Sequence, residues 1–570
     1  MTARRRRAVA VGALWAVASV VLAGPAQPQP AGPAGPATAP LVRLPFPQDE
    51  GSLTPYTFEL GYPLMTLVYD TLLWRDADGV PQPWLARSVD TSPDGRTVTV
   101  RLAAGALWHD GTPVTSADVA FTFDYVKSRP HPRFTGEVAA VERVDTPDAA
   151  TAVIRLRQTA PGFQDQPLAD LPILPMHLWK GLPRNKLAPD GNPVGSGPYR
   201  LVDHVVDQRY RFEANRSYFR GRPAVDVIEV PIIASASDTV RALERREVDM
   251  IPASLPADLA TSVDSVTVKV EEGEAYLGTT LLLNLRTPPF DRVEVRRAVA
   301  QAIDLAQVAR AIGKAVPADH GQLHPASPYA SPDVLHKADR TAAGTVLRSL
   351  GQPITVSAPD NDPVKAEAGR QVVQALRGAG ATAELALVSR DALSTAVGED
   401  GTAPTFQAAV WVTPPLASYD PTFLGRMFGS DPASAPLNYT GYRSPAFDDL
   451  ARRVATTADK AGRRAATTEA LALLASDVPS VPLVFADGAF AYRPAVFDGW
   501  IYVKGSGILD KRSFLDPKPA ATPTETTVPV EEDAGGGGGG LSAGVVALAA
   551  LGAAGVLALV AVVGGRRRRP

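Results

Sequence analysis

Four stretches hold side chains whose types and spacing could do chemistry. His320, His324 and His336 form one group, and the first two stand at i, i+4, the spacing by which one helix face offers two imidazoles to a metal ion. Pro317, Pro325, Pro328 and Pro332 surround them and argue against a helix, so the group reads as loop histidines and no metal site is expected. Asp76-Ala-Asp78-Gly79 has the opening of a calcium loop. The twelfth position from Asp76 is Arg87, where a calcium loop needs a bidentate Glu, so a turn between two strands is expected instead. Val194-Gly195-Ser196-Gly197-Pro198 sets a serine between glycines without the spacing of a nucleophile elbow. Asp448-Asp449 falls on an expected helix, where adjacent acids read as a solvated face rather than a catalytic dyad. No HExxH and no phosphate-cradling lysine loop occurs. With no nucleophile–base pair, the chain reads as a non-enzyme that needs no cofactor.

Composition narrows the classes further. A chain of 570 residues exceeds a single core and suggests two to four structural units. Its 45% hydrophobic and 21% charged residues are those of a folded globular chain, neither largely disordered nor polytopic in a membrane. The formal net charge is −3, and eight arginines lie in the terminal runs Arg4 to Arg7 and Arg566 to Arg569, so the body is more acidic than the whole. That argues against a nucleic-acid partner. Cysteine is absent, which excludes disulfides, thiolate metal sites and a cysteine-borne lipid.

The elements that must position any site alternate in type between Leu41 and Asp516. Thr97–Leu102 alternates as a strand does, and Ala152–Leu156 forms another. Ser116–Ser128 has helical apolar spacing, with Thr115 or Ser116 as N-cap ahead of Asp118. Val225–Ile233, Val248–Ile251 and Leu277–Leu285 read as strands, and Thr239–Arg246 as a helix. Val293–Ile312 reads as one long amphipathic helix. Ile354–Ala358, Val364–Ala379 and Ala383–Val388 form a strand–helix–strand unit, which favours parallel pairing and a right-handed crossover. The class is α/β with more than one sheet.

The two ends place the chain relative to a membrane. Arg4 to Arg7, the apolar Ala8 to Leu22 and the small Ala23, Gly24 and Ala26 follow the order of a secretory signal, so residues 1–26 read as a signal peptide with cleavage between Ala23 and Ala26. An uncleaved anchor is the alternative. Residues 27–40, rich in Pro, Ala and Gly, read as a disordered linker. Residues 541–563 are an apolar run of about 23, enough to cross the hydrocarbon core as a helix. The basic tail 564–570 then belongs in the cytoplasm. Residues 516–540, rich in Pro, Thr, acids and then glycine, read as a flexible stalk. A cell-surface body anchored in the cytoplasmic membrane is the expected arrangement. No LPxTG-like sorting sequence precedes the tail.

An ordered set of motifs runs along the body. Leu67-Val-Tyr-Asp-Thr-Leu-Leu73 and Pro83-Trp-Leu-Ala86 come first. Ser92 to Leu102 and Leu107-Trp-His-Asp-Gly-Thr-Pro-Val-Thr-Ser-Ala-Asp-Val119 follow. Then come Leu171 to Trp179, Pro193-Val-Gly-Ser-Gly-Pro-Tyr199, Glu213 to Phe219 and Glu247 to Met250. Asn284 to Phe290 with Val295 to Asp304, Tyr442 to Asp448 and Pro479 to Leu483 complete the order. Singly these motifs identify little, and each has a plain structural reading as a turn, loop or helix-docking residue. As a set they span about Ser52 to Trp500 and resemble the family 5 extracellular solute-binding proteins, receptors of ABC importers for oligopeptides, dipeptides and nickel.

The resemblance implies a two-lobed, periplasmic-binding-protein-like α/β fold of type II, the large peptide-receptor variety, here followed by a C-terminal transmembrane helix. Lobe one would run over residues 41–272 and recover 489–515, and lobe two would hold 273–488. Two chain crossings would form a hinge, and the lobes would close on a solute. The resemblance places Thr57, Phe58, Glu59 and Tyr62 of lobe one at the cleft, and Trp411, Tyr419 and Asp420 of lobe two. Trp411 and Phe58 read equally well as core residues. Peptide receptors of the family carry an Asp in the lobe-two loop for the peptide's amino terminus, and aligning Tyr419-Asp420-Pro421 puts Ala417 there. The expected partners are a peptide or peptide-like solute, the permease of an ABC importer and the membrane, with the receptor itself a monomer. The alternative is a tethered ligand sensor or scaffold that uses the same fold without transport.

Overall fold

The computed structural model describes residues 38–516 other than 59, 132, 253, 256 and 333–336. The expected signal peptide, most of the linker, the stalk beyond Asp516, the membrane helix, the basic tail, Glu59 and His336 lie outside the described residues. Among those described, no helix is long and apolar enough to cross a membrane.

Sheets fall into two groups along the chain. In the first lobe, one four-stranded sheet runs in the order Ala39–Arg43, Val225–Pro231, Arg209–Ala214, Tyr199–Val205, with the first pair parallel and the rest antiparallel. Ala39 and Pro40, read from composition as the end of a linker, instead open its edge strand, with Ala39 opposite Val225. An edge position tolerates proline because one side of the strand has no ladder to complete. A second, antiparallel sheet runs Ala86–Thr91, Thr97–Leu102, Thr151–Leu156, Val141–Asp148. Its two inner strands bury every second residue, which is why alternation was readable there. Helix Ser116–Ser128 packs on this sheet behind a capping box: Thr115 N donates to Asp118 Oδ2 at 2.8 Å.

The second lobe is built on a six-stranded sheet in the order Ala315–Pro317, Ser480–Ala486, Gly278–Leu283, Ala408–Thr413, Ile354–Pro359, Ala383–Val388. The strand–helix–strand unit supplies its parallel edge, Ile354 facing Ala383, with helix Pro363–Gly378 between. The remaining pairs include antiparallel ones, so the sheet is mixed. Gly278–Leu283 is buried on both faces and therefore shows an apolar run without alternation. Between the lobes the chain crosses twice, and the crossings pair as an antiparallel ladder, Lys269–Gly273 against Gly488–Tyr492.

Val293–Ile312 is not one helix. It breaks at Ile303, and Asp304 caps a new helix, Leu305–Ile312, by accepting from Gln307 N at 3.0 Å. Val248–Ile251 forms only an isolated bridge, Met250 to Tyr492, rather than a strand.

Several of the motif residues converge on one buried point. Lys511 is fully buried, and its Nζ donates to Asp70 Oδ1 at 2.8 Å. Trp84 Nε1, Tyr218 and Ser196 donate to the same carboxylate at 2.9, 3.0 and 3.2 Å. The ammonium lies 4.1 Å from the Trp74 ring centre. Several donors and a buried cation offset the cost of burying this carboxylate. This knot ties the returning segment to the start of the first lobe. Gly195 and Gly197 belong to the same packing, since a Cβ there would lie 1.9 and 2.4 Å from the carbonyl oxygens of Val68 and Leu67.

Candidate functional site

The two lobes meet through charged and aromatic side chains. On the second lobe, the loop after strand Ala408–Thr413 forms a short helix, Leu416–Tyr419, that delivers Tyr419 and Asp420 to the first lobe. Arg75 of the first lobe lies 4.3 Å from the Tyr419 ring centre. The Tyr419 hydroxyl donates to Lys504 O and lies 3.1 Å from Ser506 Oγ, both on the returning segment. The Asp76–Gly79 turn is part of this contact rather than a calcium loop. Asp76 Oδ1 accepts from the backbone of Asp78 and Val80, and a Cβ on Gly79 would sit 2.7 Å from the Tyr419 ring.

Asp420 is buried, and Arg463 of the same lobe forms an ion pair with its Oδ1. Arg463 also donates to Tyr329 Oη at 3.0 Å. The other carboxylate oxygen, Oδ2, has no hydrogen-bond donor and faces Gly162 of the first lobe, where a Cβ would lie 1.7 Å away. Beside it, Asp165 accepts from Arg75 at 2.7 Å. Burial pushes the Asp165 carboxyl up, Arg75 pulls it back, and the Asp420 charge adds to the rise.

A second contact lies around Arg133 and Asp170. Arg133 binds Asp170 through two hydrogen bonds of 2.8 and 2.6 Å, and its guanidinium lies 4.0 Å from the Tyr62 ring centre. The Tyr62 hydroxyl donates to Asp170 O at 2.7 Å. From the second lobe, Arg426 donates to Arg133 O at 2.6 Å and sets Nη1 3.6 Å from Glu137 Oε1. Glu137 is fully buried. Burial first, and then the Asp170 charge, hold its carboxyl well above the usual range. Burial opposes ionisation of Asp170 too, but Arg133 outweighs it and holds that group at about 2.

The residues singled out in the sequence occupy different depths. Tyr62, Tyr419 and Asp420 lie in this interlobe layer. Phe58 packs one step behind it against Tyr62, His131 and Phe134, with ring centres 5.7 to 6.2 Å apart. The Thr57 hydroxyl serves a local turn, bonded to Thr54 N at 2.9 Å. Trp411 is buried with Leu393, Val397 and Phe406, and reaches toward the layer through Tyr439, 6.4 Å between ring centres. Ala417 is fully buried among Phe423, Leu424 and Tyr442, facing the interior of its own lobe. His320 bonds Asp319. His324 is buried between the Tyr276 and Phe485 rings, and among the described residues no cluster of metal ligands occurs.

Arg75, Arg133, Glu137, Gly162, Asp165, Arg426 and Arg463 were not singled out. A signal existed for one of them: Arg426 is the sole charge in Phe423–Phe428, a helix of otherwise apolar residues and glycine. A lone arginine in such a run needs a partner elsewhere. Two cavities, of about 260 Å³ beside Gln322 and Ser480 in the second lobe and about 230 Å³ beside Tyr125 and Arg129 in the first, lie outside the interlobe layer.

Comparison with known proteins identifies the family and the fold. Residues 80–435 match the model of the bacterial extracellular solute-binding proteins, family 5. A Brucella ovis protein named for ABC-transporter peptide binding is 32% identical over 242 residues, 41% of this chain and 45% of that protein. The dipeptide-binding protein of Escherichia coli is 28% identical over 255 residues, 40% of this chain and 47% of that one. The chain therefore spans about half the length of the curated relatives it matches. Solved structures align over far more. The Listeria monocytogenes ABC transporter substrate-binding protein CtaP superposes with TM-score 0.72 at 23% identity, over 84% of this chain and 99% of its own. Bacillus subtilis AppA, solved with a nonapeptide, gives 0.74 at 19% over 84% and 99%. Campylobacter jejuni NikZ, solved with nickel–histidine, gives 0.71 at 20% over 80% and 94%. These likenesses establish the two-lobed α/β binding-protein fold.

Proposed function

The chain belongs to the bacterial extracellular solute-binding proteins, family 5, and we propose that it is the receptor of an ABC importer, taking a peptide or peptide-like solute between its lobes and passing it to a permease. The observation that carries this reading is the interlobe layer itself. Tyr419, Asp420 and Arg426 of one lobe meet Arg75, Gly162, Arg133 and Glu137 of the other, with only two chain crossings joining the bodies. Such a layer suits a cleft that opens and shuts: most of its charges are paired within their own lobe, and contacts such as Arg426 to Glu137 form when the lobes meet. A solute that contacts both faces would stabilise the shut form by its differential affinity for it. Aromatic side chains on both faces give contact area at little cost in side-chain entropy. Anchoring at the cell surface by residues 541–563 would hold the receptor near its permease and raise the effective concentration there.

Thermal unfolding of the purified chain with di-, tri- and oligopeptides, nickel–histidine and simple sugars tests the reading. A peptide present at a hundred times its Kd should add about 2.7 kcal/mol and raise the midpoint. A shift with a sugar and none with any peptide would overturn the peptide assignment.

A further inference from the structure

We infer that the solute presents no charged amino terminus to the lobe-two loop, and that the receptor selects peptide-like molecules whose amino end is uncharged, such as N-acylated or lactam-cyclised ones. The inference rests on the receptor reading above and concerns which molecules the same layer admits.

An ammonium leaving water needs an ionised carboxylate with an open oxygen, because an uncompensated buried charge is strongly unfavourable. Asp420 is the acid that the lobe-two loop brings to the first lobe, and its charge is already matched by Arg463. That partner belongs to the same lobe, so the pair does not depend on whether the lobes are parted. The oxygen left over, Oδ2, faces Gly162 with less room than a methyl group needs, so no ammonium fits there when the lobes meet. The neighbouring carboxylates are matched in the same way within their own lobe, Asp165 by Arg75 and Asp170 by Arg133. Glu137 differs, since its nearest cation, Arg426, comes from across the layer, but it is fully buried against Asp170. Ala417, the position at which the loop would carry an additional acid, points into its own lobe. Among the described residues, a free α-amine therefore meets a layer in which Asp420, Asp165 and Asp170 are matched within their own lobe and Glu137 is buried, whereas an amide nitrogen needs only a hydrogen-bond acceptor.

The test uses the full-length chain and two libraries of tri- to pentapeptides, identical except that one is N-acetylated, in equilibrium dialysis read by mass spectrometry at pH 7 and pH 9. A free α-amine titrates near 7.7 to 8.0, so its neutral fraction rises about six- to ten-fold over that range. Retention of the free library should rise by about the same factor, while that of the acetylated library stays constant and exceeds it at pH 7. A free library retained as well as or better than the acetylated one at pH 7, with retention constant or falling toward pH 9, would show an ammonium anchor and overturn the inference. Asp420→Asn should leave the ratio of the two libraries at pH 7 unchanged, and a selective loss of the free library in that variant would also sink it. If neither library is retained at either pH while nickel–histidine is, the peptide reading itself fails and the inference goes with it.

Discussion

At Gly162 the first lobe has no side chain, and the carboxylate of Asp420 from the second lobe fills the space. An alanine there would place its Cβ 1.7 Å from Oδ2, well inside van der Waals contact. Asp420 cannot swing away freely, because Arg463 holds its other oxygen and both groups are buried. The clash arises only when the lobes meet, so Gly162→Ala should spare the core of each lobe and disfavour their contact. Its thermal midpoint should stay within a few degrees of the parent, while its radius of gyration in small-angle scattering rises and peptide retention drops at least ten-fold. An unchanged radius and unchanged binding would show that the layer gives way cheaply. The resemblance pointed to Tyr419 and Asp420, which lie in the interlobe layer, but their partners there were not legible. Arg463 lies 43 positions from Asp420, and Arg426 lies 293 positions from the Arg133 carbonyl it binds. Pairings of that span leave no periodicity or spacing in the sequence. Trp411 shows the opposite limit: a large aromatic on a strand reads alike as wall or core, and its neighbours Leu393, Val397 and Phe406 decide for a buried place behind Tyr439.

Among the elements, strands were readable whether buried on one face or both, as Thr97–Leu102 and Gly278–Leu283 show, and helices divided by a cap were less so. Thr97–Leu102 and Ala383–Val388 keep the bounds expected of them. Val293–Ile312 does not, because apolar residues continue in helical register through the break at Ile303 while Asp304 restarts the backbone. An aspartate in mid-pattern was the available sign, since its side chain competes for backbone donors and favours a cap over a helix interior. The break turns helix Leu305–Ile312 so that Leu305 and Val308 enter the same core as Val295 and Val299. Removing the cap in Asp304→Ala should therefore cost about 1 kcal/mol, read as a lower urea midpoint at constant slope. A cost near zero would mean that packing alone sets the angle between the two helices. Neither outcome should alter solute binding, because the cap lies in the interior of one lobe and touches no residue of the layer.

For the molecule as a whole, three histidines on different elements set how it responds to acid. Burial holds His109, His131 and His324 at about 4, below the ordinary 6.5 of an imidazole. Around His131, Arg133 and Arg426 add to the depression and Asp170 opposes it. His324 faces Glu274 and Lys504, and His109 faces Arg200, Asp70 and Asp110. Each folded value lies below the unfolded one, so the unfolded chain takes up protons first as pH falls. The stability they contribute is complete above about 6.5 and is lost between there and about 4. For His324, only 2% exposed, the loss is on the order of 3 kcal/mol. A separate step follows at lower pH, where Asp49 and Asp170, held at about 2 against an ordinary 3.8, are protonated. Urea midpoints at pH 7.5, 5.5 and 4.5 should fall steadily, and His324→Phe, which keeps the ring between Tyr276 and Phe485, should flatten part of that slope. Because Arg426 reaches His131 from the other lobe, the acid response also couples to the meeting of the lobes: parting them lifts one of the charges that keep His131 neutral. Peptide retention should then weaken over the same pH interval, and Arg426→Met should remove that portion of the pH dependence. A midpoint that stays level from pH 7.5 to 4.5 would mean that these imidazoles reach water in the folded chain.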